Sequence, residues 1–200
     1  MKKLLIVPIL AVLLFTGVAN AQSSNLVSPG ILPGNPFYFL DSLFERLDLL
    51  VTFGSLSRVE RYLEFAEERL AESKALADKG DSNRAEKATE KYQERLEKSL
   101  AKAEEAKEEG KDTDEVLEKI AEATVRHQEV LADVYEKVSE QAKEAIEKAI
   151  RRSARGHNTA ILNISEENQD EVKERVDDET EDVEDRLEEL RKKGIPIPDR

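Results

Sequence analysis

The chain has 200 residues, with 44 acidic against 31 basic side chains and a formal net charge of −13 at pH 7. A surface this acidic excludes nucleic acid and anionic membrane as natural partners, because both are bound by Lys and Arg neutralising phosphate. The chain has no Cys and no Trp, and its one Met is Met1, which excludes disulfide staples, a lipid-anchored cysteine and soft-metal sites built on sulfur.

Residues 1–21 have the three-part layout of a secretory signal peptide. Lys2 and Lys3 are the charged start, Leu4 to Phe15 is a nearly unbroken apolar run, and Ala19-Asn20-Ala21 supplies a small-x-small cleavage site. The run is shorter than the roughly 20 residues a membrane-spanning helix needs. Cleavage after Ala21 is therefore expected, with an uncleaved N-terminal anchor as the rival. Cleavage removes two positive charges and no acid, taking the net charge from −13 to −15.

The polar segment 22–35, with Pro29, Gly30, Pro33 and Gly34, predicts a linker or extended arm. Asn35-Pro36 then has the form of a helix cap followed by proline at the first helical position. The helix predicted over 36–51 carries Phe37, Leu40, Leu43, Phe44, Leu47, Leu50 and Val51 at helical spacing, and four of the six Phe lie between 37 and 53. Its polar residues are acidic, with Asp41, Glu45 and Asp48 against Arg46. A helix lying on a membrane surface normally has a basic polar face, so this one is expected to clasp the bundle through its apolar side.

Three long helices follow. One over about 58–79 is capped by Ser57 and stopped by Lys79-Gly80-Asp81, and the next, over about 82–109, is stopped by Gly110. The third opens at Asp112 or Thr113 with the seam Leu117, Ile120, Thr124, His127, Leu131, Val134 and Val138, a heptad pattern as in coiled coils. Connections this short force antiparallel neighbours. Ser139 before Glu140 and Gln141 predicts a fresh cap, and the helix beyond it carries a small-residue stripe of Ser153, Gly156 and Ala160 that admits a close neighbour. The last helix, capped by Ser165, has 14 carboxylates against 6 basic residues between Glu166 and Lys193, with a thin apolar stripe of Val172, Val176, Val183, Leu187 and Leu190. The fold class is all-α: an antiparallel helical bundle preceded by a short aromatic amphipathic helix and followed by an acidic helix. Its parts are the signal peptide 1–21, the linker 22–35, a bundle domain 36–164 that includes the helix 36–51, and an acidic helix and tail 165–200, expected to be dispensable for folding.

Four blocks stand in order along residues 29–162: Leu32-Pro33-Gly34-Asn35-Pro36-Phe37-Tyr38-Phe39-Leu40 with Thr52-Phe53, then Ala66-Glu67-Glu68-Arg69-Leu70-Ala71-Glu72, then Arg126-His127-Gln128-Glu129-Val130-Leu131, and Ala142 to Ala160 with its Ser153, Gly156 and His157. Together they resemble a family of exported archaeal and bacterial proteins known only as a domain of unknown function. The resemblance implies export and a helical hairpin or bundle, and it implies no activity. Ser139 stands where the resemblance would place a proline, and the acidic helix after Ile164 lies outside it.

Both histidines fall inside those blocks. His127 occupies a seam position, and its first reading is structural, with Glu68, Glu72 or Tyr92 as partner. The alternative is a divalent-metal site in which His127 is joined by His157, Glu68 and Glu72, since bundle-core sites of Glu and His on facing helices are a known arrangement. The Glu-x-x-His spacing typical of such sites is missing, with Thr124 and Ala154 three residues before the two histidines. Ser153 and His157, four apart, could touch on one helix face, but as a nucleophile and base they lack an orienting acid and an oxyanion hole. Asn163-Ile164-Ser165 is a lone N-glycosylation sequon. No catalytic site and no cofactor are expected. The expected function is that of an exported, non-enzymatic bundle binding an envelope or extracellular protein, with self-association through helix surfaces as a further option. The rivals are a hard-metal or small-ligand carrier and a periplasmic-type chaperone, the last requiring exposed Phe37, Phe39, Phe44 and Phe53.

Overall fold

A computed structural model of the protein describes residues 27–36 and 38–198, with the side chains of 39–42 left aside. The signal-peptide expectation, Phe37, and the side chains of Phe39 and Leu40 thus lie outside what is described. Six helices make up the described chain: α1 (Tyr38–Val51), α2 (Ser55–Asp78), α3 (Ser82–Glu108), α4 (Asp114–Lys137), α5 (Glu140–Asn163) and α6 (Gln169–Lys192). The all-α expectation holds, and no strand occurs among the described residues.

Short connections do the folding back. α2 and α3 are joined by Lys79–Asp81, where Gly80 takes φ +74° and two reverse bonds, Gly80 N–H to the Ala77 carbonyl and Asp81 N–H to the Leu76 carbonyl, close the helix end. Asp81 then caps α3 by accepting from the Arg84 N–H at 3.2 Å. The result is two antiparallel hairpins, α2 with α3 and α4 with α5. They pack with α3 against α5 and α2 against α4, as a four-helix bundle. α6 lies along α4, and α1 leans on α2.

The core is the predicted seam. Leu117, Ile120, Thr124, His127, Leu131, Val134 and Val138 of the third long helix are all buried, together with Leu70, Tyr92, Leu96, Ile146 and Ile150 from the other three bundle helices.

α1 is described from Tyr38, after a turn in which the Asn35 N–H reaches the Leu32 carbonyl and the Tyr38 N–H reaches that of Asn35. Two boundaries differ from the sequence reading. α2 begins at Ser55 instead of being capped by Ser57: the Ser55 hydroxyl donates to Glu109 at 2.7 Å and accepts from Lys111 at 2.8 Å, which pins the helix start to the α3–α4 turn. α6 begins at Gln169, because Ser165 is drawn away to Asp114 in the first turn of α4. The Asp114 carboxylate takes the Ser165 N–H at 2.9 Å, the Ser165 hydroxyl, and the Asn168 side-chain amide at 2.8 Å. Burial raises the pKa of Asp114, but these bonds outweigh it and hold the carboxyl below the usual range. The break at Ser139 is present without a side-chain cap; its N–H donates to the Ser82 hydroxyl at 2.8 Å.

The acidic helix is attached more firmly than its charge suggests. Val172, Val176, Leu187 and Leu190 are buried in the same core, followed by Ile195 and Ile197 of the tail, while Arg175 forks onto Glu118 of α4 at 2.7 and 2.9 Å.

Candidate functional site

α1 departs from expectation the most. Its described apolar side chains, from Leu43 onward, do not clasp the bundle. Phe44 is 63% exposed and Phe53, just beyond the helix, 81%, and Leu43, Leu47, Leu50 and Val51 are exposed with them. On a helix of 3.6 residues per turn, positions 43, 44, 47, 50 and 51 form one stripe, and Tyr38 and Glu45 fall on the opposite side. That opposite side is the one in contact with the bundle.

The contact is an ion cluster. Glu45, nearly buried, receives Arg69 of α2 at 3.0 Å and Arg95 of α3 at 2.8 Å. Arg69, itself buried, also pairs with the fully buried Glu72 at 2.7 Å. The Tyr38 hydroxyl accepts from Arg69 at 2.9 Å and from Lys91 at 2.8 Å, and donates to Glu72 at 3.3 Å, which uses its full hydrogen-bonding capacity. The Lys91 ammonium sits 4.7 Å from the centre of the Tyr38 ring. Farther along, Asp48 pairs with Arg61 at 3.3 Å and the Thr52 carbonyl accepts from Arg58 at 3.2 Å. Buried charges persist only where paired, so α1 is held in one rotational setting, polar side in and apolar side out.

This arrangement accounts for two of the metal candidates. Glu72 is committed to Arg69 and Tyr38, and Glu68 lies 3.5 Å from Arg69. The histidines lie elsewhere. His127 is buried in a polar seam shared by all four bundle helices. The Ser153 hydroxyl donates to the Thr124 carbonyl at 2.8 Å, and the Tyr92 hydroxyl donates to Ser153 at 3.0 Å. With its single proton spent on Ser153, Tyr92 must accept from His127 Nδ1, 3.2 Å away. The chain of donors therefore sets the tautomer: His127 carries its proton on Nδ1, and Nε2 faces Glu67 of α2 at 3.8 Å. The two rings meet edge to face, with centroids 5.3 Å apart.

His157 is anchored separately, with Nδ1 3.0 Å from the Ala121 carbonyl. A Cβ at Gly156 would meet the Thr124 methyl at 3.4 Å and Leu96 at 3.5 Å, which is ordinary van der Waals contact, so the packing of α5 there does not require glycine. The predicted small-residue stripe of Ser153, Gly156 and Ala160 is buried in the bundle. Among the described residues no three His, Asp or Glu side chains converge as a metal site.

Electrostatics agree with a structural seam. Burial pushes the Tyr92 hydroxyl far above its ordinary range, and burial pushes the His127 imidazole down against the pull of Glu67. Both are neutral near pH 7, which makes them poor proton carriers. The Asn163 side-chain amide, the nitrogen that glycosylation would use, donates to the Thr159 carbonyl at 2.9 Å at the end of α5.

The structure thus brings the blocks together in two places: Tyr38 with Arg69 and Glu72, and His127 with Ser153 through the Tyr92 hydroxyl between them. Sequence reading missed Glu45, Arg69 and Arg95. The available signal was Arg69 set among Ala66, Leu70 and Ala71, on the face where a charge must be buried.

The model of a family described as a domain of unknown function (DUF5667) matches residues 30–141, more than half of the chain. The chain belongs to that family. The match takes in the first three blocks and ends before the Ser153, Gly156 and His157 block. No curated protein and no solved structure matches the chain. No helix among the described residues is long and apolar enough to cross a membrane.

Proposed function

We propose that this member of the DUF5667 family is an exported, non-enzymatic binding protein that engages an envelope or extracellular protein through the outward face of α1. One observation carries the reading: five apolar side chains of α1 from Leu43 to Val51, with Phe53 just beyond it, are exposed on a helix whose polar side is locked by buried ion pairs. Isolated apolar residues on a surface are ordinary, whereas a contiguous patch of several hundred Å² marks an interaction site. Large aromatics at the centre of such a patch are the usual energetic anchors. Export rests on the leader layout of residues 1–21.

The test is co-purification from envelope extract. The secreted form should begin at Gln22 by intact mass. It should hold a partner that Phe44→Ser and Phe53→Ser release, with the melting transition of the bundle unchanged. Recovery of residues 1–21 on the protein would replace secretion by anchoring, and a partner retained by both variants would move binding off α1.

The exposure of Phe44 and Phe53 also favours a second reading, a chaperone holding unfolded clients. It requires that the wild type, and not the two Ser variants, suppress aggregation of a heat-unfolded client.

A further inference from the structure

We infer that the occupant of the α1 face is a second copy of this chain, the two α1 helices packing antiparallel across a twofold axis near Leu47. This inference rests on the proposed binding role of that face and names its partner.

Three observations carry it. The first is spacing. Leu43, Leu47 and Leu50 follow one another at intervals of four and three, flanked by Phe44 and Val51, which is the seam of a helix meant to meet another helix. An antiparallel pairing centred on Leu47 sets Leu43 and Phe44 of one copy against Leu50 and Val51 of the other, so that one stripe is complementary to itself, as an isologous contact demands.

The second is area. With the stripe and Phe53 uncovered by half to four-fifths, each copy offers several hundred Å² of apolar surface, approaching the roughly 800 Å² that each partner gives to a standard interface. Burying the face once removes the whole patch from water.

The third is charge. Glu45 and Asp48 are turned to Arg69, Arg95 and Arg61 of their own chain, so no uncompensated carboxylate of these two residues opposes its twin across the axis. A bilayer fits worse. A surface-lying helix takes a basic polar face, whereas the polar side of α1 carries carboxylates already committed to the bundle, and the chain bears a net charge of −13. That same net charge makes the two bodies repel outside the contact, so self-association through this apolar face strengthens with added salt, opposite to a contact built on ion pairs.

The test is sedimentation equilibrium over a wide concentration range on the chain from Gln22 onward, which contains every described residue. The expected result is a monomer–dimer equilibrium that salt strengthens and that Leu47→Lys weakens by roughly tenfold or more. Leu162→Lys, at an exposed site on α5, leaves it unchanged. The chain has no cysteine, so a single Leu47→Cys substitution gives a second readout that does not depend on tolerating a charge. Cysteines at 47 form an intermolecular disulfide in high yield, and cysteines at 162 do not. A monomer at all concentrations with no 47–47 disulfide, or a dimer indifferent to Leu47→Lys, overturns the inference. If the chain is monomeric but Leu47→Lys releases a different co-purifying protein, the second-copy inference fails and the binding role of α1 stands. If it is monomeric and Leu47→Lys releases nothing, both fail.

Discussion

Tyr92→Phe removes one oxygen from the centre of the bundle, and the proton order in the seam fixes what that should cost. The hydroxyl donates to Ser153 and accepts from His127 Nδ1, and all three groups are buried. Ser153 keeps its bond to the Thr124 carbonyl, so its loss is partial. His127 is left with a buried N–H and no acceptor, which costs about 1–3 kcal/mol. For a domain of this size that is roughly 2–12 °C in melting temperature. His127→Leu alone should cost little, because it deletes the donor together with an Nε2 that no hydrogen bond satisfies. The double variant should therefore be more stable than the sum of the two single effects by at least about 0.5 kcal/mol. Thermal and urea unfolding of the four proteins measure this directly. A Tyr92→Phe protein as stable as wild type, or strictly additive costs, would refute the assigned tautomer.

Other outcomes follow from the same geometry. The His127 pKa is lowered in the folded state, so its share of stability is fully present above about pH 6.5, the ordinary imidazole value. It is lost as pH falls from there towards the folded pKa, and His127→Leu should flatten that part of a stability–pH curve. Glu122 of α4 behaves in the opposite sense. Burial, then the nearby Glu179 of α6, raise its pKa, so the bundle should gain stability as pH falls through that raised value towards the ordinary carboxylate one. Glu122→Gln should stabilise at neutral pH, as chemical denaturation would show. Leu187→Ala, at a fully buried position of α6, should cost about 2–5 kcal/mol. Deleting 165–200 should accordingly lower the melting temperature, and an unchanged transition would mean that α6 docks without contributing. Phe44→Ala, at an exposed site, should change stability by less than about 0.5 kcal/mol.

Periodicity made the bundle legible because a long amphipathic helix has one way to bury its stripe. The seam from Leu117 to Val138, the stops at Gly80 and Gly110 and the break at Ser139 all follow from local chemistry, and all are present. His127 was legible as a buried polar residue. Tyr92 was legible as one of its three candidate partners, and the choice of Tyr92 over Glu68 and Glu72 was made by geometry three helices wide, which no spacing encodes. The orientation of α1 was not legible. An aromatic stripe on a short helix ordinarily turns inward, and here the buried pairs of Arg69 with Glu45 and Glu72 compete for that inward side and hold it. The start of α6 shifted for a similar reason: Ser165 has the chemistry of a cap, but Asp114, 51 residues earlier in sequence, draws it out of the role. Tertiary partners decided both cases, and sequence neighbours did not announce them.

The working role of the α1 face is tested most directly by a photo-crosslinking amino acid placed at Phe44 or Phe53 of the full chain in the cells that make it. Glu144, exposed on α5, serves as the control position. The outward-facing helix predicts a discrete covalent adduct from positions 44 and 53 and none from 144. No adduct from either phenylalanine position, or the same products from all three, would contradict it.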